Sequence, residues 1–285
     1  MDIMQKEFEM QLSHQQCDFF FTNGYLVLPD FFTKEVCDLL RERISILIKN
    51  NEETTPKTIF STQTNEHAKQ QYFLDSGDKI HYFFEAGAFD INGQSTRSFD
   101  QSINKIGHAL HELDPVFKEY SRDVRIKNIS HQLGLKSLGL VQSMYIFKQP
   151  GIGAEVLCHQ DSSYIFGQDS DPIGFWFALE DATLENGCLE VIPSPHSTPL
   201  KQRMFRRADE TFFEYYDSTP WPEEQSVPLP VEKGTLIVLH GRVPHKSKAN
   251  SSQQSRHAYT LHLVDTTLPY PKNNWLQWPN GIPSL

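Results

Sequence analysis

His159-Gln160-Asp161 is the stretch of this chain whose residue types and spacing could do chemistry. On a strand, an imidazole and a carboxylate two residues apart point to the same face, where both can meet one metal ion. The pattern alone is weak, because 12 histidines and 36 acidic residues in 285 make about 1.5 His-x-Asp/Glu matches expected by chance. Its place in the chain gives it weight. A second histidine from a distant strand would complete a 2-His-1-carboxylate face, which leaves three positions open and suits non-haem Fe(II) oxygenase chemistry. His240 and His245 both follow the next long strand and are the candidates. Arg256, eleven residues beyond His245, opens a further strand, Arg256–Val264. As an antiparallel neighbour it would return its guanidinium towards the metal and hold a carboxylate bidentately. This set fits 2-oxoglutarate: the C1 carboxylate and C2 ketone would chelate iron, the C5 carboxylate would meet Arg256, and O2 would take the last site. Oxidative decarboxylation would leave succinate, CO2 and an oxidant able to remove hydrogen from an unactivated C–H bond.

The elements that must position these groups are mostly strands. After residue 135 the apolar runs are short, rich in Val, Ile, Phe and Tyr, and broken by Gly, Pro, Asn and Asp. They predict strands at Val141–Lys148, Glu155–Asp161, Gly174–Leu179, Cys188–Ile192, Val227–Pro230, Thr235–His240 and His257–Val264. Many strands without intervening helices imply a sandwich or jelly roll. Upstream, a helix is expected from Glu7 to Phe21, stopping at Thr22-Asn23-Gly24, followed by a strand at Tyr25–Leu28. Thr33 caps a second helix with Val36, Leu40, Ile44 and Leu47 on one stripe. A third is expected from Ser102 to Leu113, with Ile103, Ile106, Leu110 and Leu113 aligned and Pro115 beyond it, and a fourth from Arg125 to Gly134. The plan is a single domain over 1–285, with a helical part over about 1–135 and a jelly-roll core over about 136–270.

Thirty-six acidic against 26 basic residues leave a net charge of −10, which argues against a general affinity for nucleic acid or anionic lipid. No run approaches the ~20 apolar residues of a membrane span, and no apolar block marks a signal peptide. The 20 Phe and 10 Tyr argue against disorder. Cys17, Cys37, Cys158 and Cys188 form no CxxC pair and read as free thiols. A terminal Ile-Pro-Ser-Leu is not a Ser-Lys-Leu address, so the expected compartment is the cytoplasm. There is no Walker loop, G-x-S-x-G elbow or HExxH. Lys201, Arg203, Arg206 and Arg207 place four positive charges in seven residues and read as a solvated loop, or as a site for an anionic substrate.

Beyond the triad, the sequence resembles the phytanoyl-CoA dioxygenase family of Fe(II)/2-oxoglutarate oxygenases. The blocks that carry the likeness occur in family order: Gln142–Pro150, His159-Gln160-Asp161, Glu180–Leu189, Ile192-Pro193, His240-Gly241 and His245-Lys246-Ser247-Lys248. Ser76–Ile80 and Ser102–His111 lie upstream, so the likeness covers nearly the whole chain. The resemblance implies a mainly β, cupin-like double-stranded β-helix with N-terminal helices. It implies His159, Asp161 and His245 as iron ligands, and His240 as a structural histidine. It further implies Lys105, Met144, Trp176, Ser247 and Arg256 as residues that line or hold 2-oxoglutarate. Lys105 is assigned by this resemblance alone, since on the expected helix it falls off the apolar stripe. The presence of Asp161 fits a hydroxylase rather than the related halogenases, which lack that carboxylate. The expected activity is hydroxylation of a small molecule with Fe(II), 2-oxoglutarate and O2, and protein partners are left open. The alternatives are an acyl-CoA 2-hydroxylase of the phytanoyl-CoA type and a non-catalytic jelly-roll metal-binding module.

Overall fold

Residues 10–52, 55–62, 71–208 and 210–285 are described by the structure, a computed structural model. The start of the expected Glu7–Phe21 helix lies outside them. Helix α1 (His14–Asn23) begins at a reciprocal capping box between Ser13 and Gln16 and stops at Gly24, whose φ of 80° favours glycine. Thr33 caps α2 (Lys34–Asn51) as expected, but the buried stripe is Cys37, Leu40, Ile44 and Ile48, rotated slightly from the one read in sequence.

Strands, numbered in chain order, form two antiparallel sheets and a separate hairpin. The large sheet has the spatial order β1 (Tyr25–Leu28), β11 (Leu236–His240), β6 (Ile173–Ala178), β13 (Ala258–Asp265), β4 (Leu138–Ile146), β3 (Ile103–His108) and β2 (Ile80–Phe84). The small sheet has the order β10 (Val227–Leu229), β7 (Leu189–Val191), β12 (His245–Ser247) and β5 (Val156–His159). From β4 to β13 the chain passes back and forth between these sheets, which is the winding of a double-stranded β-helix, the expected jelly roll. β1, β2 and β3 all join the large sheet, so the segment before residue 135 supplies strands as well as helices.

The two faces of the large sheet have different work. Tyr145, Phe175, Phe177, Tyr259 and Leu261 pack with α1, α2, α6 (Pro115–Ser121) and α7 (Val124–Gln132) in the main apolar core. Residues of the other parity on the same strands, including Met144, Gly174, Trp176, Thr260 and His262, line a cavity of about 570 Å³. Short helices α3 (Gln71–Leu74), α4 (Phe99–Ser102) and α5 (Leu110–Leu113) connect the outer strands.

Residues 102–113 correct the sequence reading. The expected helix is instead the end of α4, strand β3 and α5. β3 runs between β2 and β4, and five of its six residues are buried, so the polar–apolar alternation that marks a half-exposed strand is missing. Its Ile103/Ile106 spacing imitates a helical stripe. Pro115, read as a stop, occupies the first turn of α6, where its missing N–H costs no hydrogen bond. The basic segment at 201–207 is not a loop either: β8 (Gln202–Arg207) pairs with β9 (Glu210–Tyr215). No described helix is long and apolar enough to cross a membrane.

Candidate active site

β5 and β12 are neighbours in the small sheet, and His159 and His245 are directly opposed in their register. That pairing brings the two imidazoles to 4.3 Å between ring centroids. Each ring is tethered through Nδ1, His159 to the Leu157 carbonyl at 2.8 Å and His245 to the Val243 carbonyl at 3.1 Å. A ring that donates from Nδ1 presents an unprotonated Nε2, the form that ligates a metal. Both Nε2 atoms lie 3.6 Å from Asp161 Oδ1. Two donors each about 2.1 Å from one ion are separated by about 3.0 Å when cis and about 4.2 Å when trans, so these separations suit a shared ion. Among the described residues, His159, Asp161 and His245 are the one cluster of this kind, and it has no fourth protein ligand.

Asp161 does not stand on the strand with His159. β5 ends at His159, and Asp161 opens a 3-10 turn, Asp161–Ser163. Gln160 makes that turn rigid: its side chain is fully buried, donates to the Pro199 and Arg242 carbonyls at 3.1 and 2.8 Å, and accepts from Lys201 N at 3.0 Å. Asp161 Oδ2 is held by His262 Nε2 at 3.1 Å. His262 pairs with Gly174 across β13 and β6. A Cβ on Gly174 would sit 3.1 Å from Oδ2 and 3.5 Å from His262 Nε2, so the glycine leaves room for this contact. Burial disfavours ionised Asp161, but its imidazole neighbours, with the hydrogen bond from His262, hold its carboxyl well below the usual range. Burial pushes His245 down to about 4, which keeps it neutral. The cluster thus offers one carboxylate and two imidazole nitrogens to an ion.

Arg256 approaches the same cavity from just before β13. β12 and β13 belong to different sheets, so the expected antiparallel pairing is replaced by an approach across the cavity. Glu180 holds the residues on both sides of Arg256, accepting from the Ser255 hydroxyl at 2.8 Å and from His257 N at 2.9 Å, while its other oxygen takes Arg41 at 2.6 Å. Arg256 is 2% exposed, lies 5.2 Å from the Trp176 ring, and has no hydrogen-bond partner for Nε or Nη1. Burial pushes its pKa down to about 10. A buried guanidinium with unused donors, in the cavity that holds the His–Asp–His cluster, fits a ligand carboxylate. Ser247 and Lys148 line the same cavity, joined at 2.9 Å.

Lys105 lies on β3 and points into the cavity instead of solvent. Its Nζ is 3.5 Å from the Phe60 ring centroid and 3.7 Å from Met144 Sδ, and desolvation pushes its pKa down to about 7. His240 lies apart from the cluster, accepting from Arg242 N through Nδ1 at 3.1 Å and packing against Phe20 and His196. Cys158, beside His159, has its thiol pushed up to about 12 by burial, which leaves no reactive thiolate there.

The model for phytanoyl-CoA dioxygenase (PhyH) matches residues 20–258. The chain belongs to the phytanoyl-CoA dioxygenase family. Phytanoyl-CoA dioxygenase 1 of Oryza sativa subsp. japonica is 42% identical over 267 residues, covering 93% of this chain and 94% of that protein. Phytanoyl-CoA dioxygenase domain-containing protein 1 of Danio rerio is 42% identical over 282 residues, covering 95% and 97%. The fold is shared with EctD from S. alaskensis solved with 2-oxoglutarate and 5-hydroxyectoine, at a TM-score of 0.63, 18% identity and coverage of 96% and 86%. It is also shared with the epimerase SnoN in complex with Fe3+, alpha ketoglutarate and nogalamycin RO, at 0.62, 17%, 95% and 92%. This phytanoyl-CoA dioxygenase family member is a non-haem iron, 2-oxoglutarate-dependent dioxygenase, with iron as its cofactor and 2-oxoglutarate as its co-substrate.

Two residues that matter to the geometry carry no recognisable sign in the sequence, and a third carries one that the sequence reading passed over. His262 is one histidine in a strand, and its contact with Asp161 joins positions a hundred residues apart. Gly174 reads as an ordinary strand boundary. Lys148 had a signal, because it continues the alternate-residue series Gln142, Met144, Ile146 that lines the cavity.

Proposed function

We propose that the protein couples conversion of 2-oxoglutarate and O2 to succinate and CO2 with hydroxylation of a small molecule. In this reading His159, Asp161 and His245 ligate Fe(II), and Arg256 and Ser247 take the C5 carboxylate. Lys105, Met144 and Trp176 line the co-substrate, and residues 1–285 act as one domain. The observation that carries it is the uncompensated, buried Arg256 sharing a cavity with an open two-imidazole, one-carboxylate face. Bound Fe(II) would supply O2 activation and oxidative decarboxylation. The protein's part is to present two unprotonated Nε2 atoms, to keep Asp161 ionised through His262, and to orient the dianion between fixed charges.

The acyl-CoA 2-hydroxylase reading draws on the names of the relatives and on the basic segment of β8. Its charges are largely engaged locally: Lys201 is held by Asp217 at 2.9 Å, and Arg203 by Asn273 at 2.6 Å and the Phe166 ring at 3.9 Å. These contacts favour a small molecule over a phosphate-rich thioester, and direct assay of an acyl-CoA panel decides between them. A metal-binding module without catalysis would normally close the site with a fourth ligand. Anaerobic addition of Fe(II) and then 2-oxoglutarate should give a visible metal-to-ligand charge-transfer band. Its absence at full iron occupancy overturns the proposed site.

A further inference from the structure

Lys148 is a buried cation to which the site just described gives no task. It stands past the end of β4 and is 2% exposed. Its Nζ donates to the Ala154 carbonyl at 2.6 Å and to Ser247 Oγ at 2.9 Å. An ammonium has three donors, and these two acceptors are both neutral. Among the described residues no carboxylate lies within ion-pair distance of it. The nearby carboxyl of Glu85 is buried, accepts from Ala154 N at 3.2 Å, and is pushed up by desolvation, while Lys148 and Arg256 act on it from beyond ion-pair distance.

The chain holds this cation in place at a local cost. The backbone of Lys148 has φ of 44°, a conformation that side-chain-bearing residues seldom adopt and that persists where surrounding structure enforces it. Asn250 Nδ2 fixes its carbonyl at 2.8 Å. Gly187, with φ of 82°, keeps the space its side chain fills, since a Cβ there would stand 2.7 Å from Lys148 Cε. Burial first, and then repulsion from Arg256, push the amine down to about 7. Lys148 and Arg256 face the same cavity as Lys105, and neither has an acid within ion-pair distance, Glu85 and Glu155 acting on Lys148 only from farther away, so an anion from outside the chain would find donors from both.

We propose that Lys148 is a second cation for the distal carboxylate of 2-oxoglutarate, set beside Arg256, with Ser247 as the hydroxyl that joins Lys148 to that carboxylate. The proposal rests on the co-substrate site assigned above. Ser247 accepts from Lys148 and keeps its own proton to donate to the ligand. Lys148 thereby selects a 2-oxo diacid over a 2-oxo monoacid, and the chelating head of the ligand is read elsewhere, at the metal.

The test compares two ligands that share a head and differ in the tail. Full-length protein with Fe(II) is titrated anaerobically with 2-oxoglutarate and with 2-oxopentanoate, reading the charge-transfer band. Lys148→Met should weaken 2-oxoglutarate about 10- to 100-fold and leave 2-oxopentanoate within about twofold. Lys148→Arg should recover part of the 2-oxoglutarate affinity, and Lys148→Gln should not; this pair carries the test if the Met variant does not fold. Unchanged 2-oxoglutarate binding in the neutral variants overturns the proposal, and so does equal weakening of both ligands, which would mark Lys148 as a structural tie between the 150–154 turn and β12. A wild-type protein that gives no band fails the assigned site itself, whereas a normal wild-type band with indifferent variants fails Lys148 alone.

Discussion

The two ends of the cavity are built on opposite principles. At the inner end, where the His–Asp–His cluster and Arg256 meet, most polar side chains are tied by a second contact. His159 and His245 are tied through Nδ1, Asp161 through Oδ2, and the residues on both sides of Arg256 through Glu180. Charges there are buried and left uncancelled, as with Arg256, Lys148 and Lys105. At the mouth, the segments flanking the β8–β9 hairpin supply Lys201, Asp217, Thr219 and Trp221, and the charges cancel within the wall: Lys201 meets Asp217 at 2.9 Å and stands over Trp221 at 4.6 Å. The difference teaches where specificity resides. Uncancelled buried charge selects a small, fixed, charged reactant, while a neutralised aromatic rim selects by shape and apolar contact. The rigid end is suited to the co-substrate, and the mouth to the molecule that is oxidised.

Substitutions at the two ends should therefore separate. The largest effect belongs to the ligand set: His245→Ala should lower iron-dependent succinate formation by more than about 100-fold, while His240→Ala stays near wild type. A swap of these outcomes would move the distal ligand to His240 and break the description of the metal end. A smaller effect is expected one layer out. His262→Ala frees Asp161 Oδ2 and should weaken Fe(II) binding about 10- to 100-fold, while affinity for 2-oxoglutarate at saturating iron is preserved. Equal loss of both would show that His262 supports the whole cavity and not the carboxylate alone. The smallest effect belongs to the mouth: Lys201→Met removes an ion pair that solvent screens and should leave the 2-oxoglutarate dissociation constant within about twofold. A tenfold change there would show that the two ends are coupled, with Gln160, which bonds Lys201 N from between two of the ligands, as the connection.

Legibility in the sequence follows the same division. The strands of the β-helix core are recognisable because β4, β6, β11 and β13 are apolar runs bounded by turn residues. The cavity series on β4 is visible as alternate positions. β3 is not recognisable, because burial on both faces removes alternation, and its misreading as a helix turned Lys105 outwards. The β8–β9 hairpin is hidden by its charge, since Arg203, Arg206 and Arg207 resemble a solvated loop until their local acceptors and rings are known. His159 and Asp161 were paired correctly by spacing, though by a route the chain does not take: the second residue lies on a turn held by Gln160, not on a continuing strand.

The sequence by itself determined which groups the protein has for chemistry: two imidazoles, a carboxylate and an arginine in an order and spacing that match one family. Such information is local, carried by residue type and by short intervals along the chain. Only the tertiary structure decided how those groups are poised. That His262 holds Asp161, that Glu180 fixes the turn of Arg256, and that Lys148 and Lys105 are buried without an acid in contact all depend on contacts between segments distant in sequence. Desolvation pushes Lys148 and Lys105 down, and desolvation is a property of the packed molecule, absent from any stretch of residues read alone.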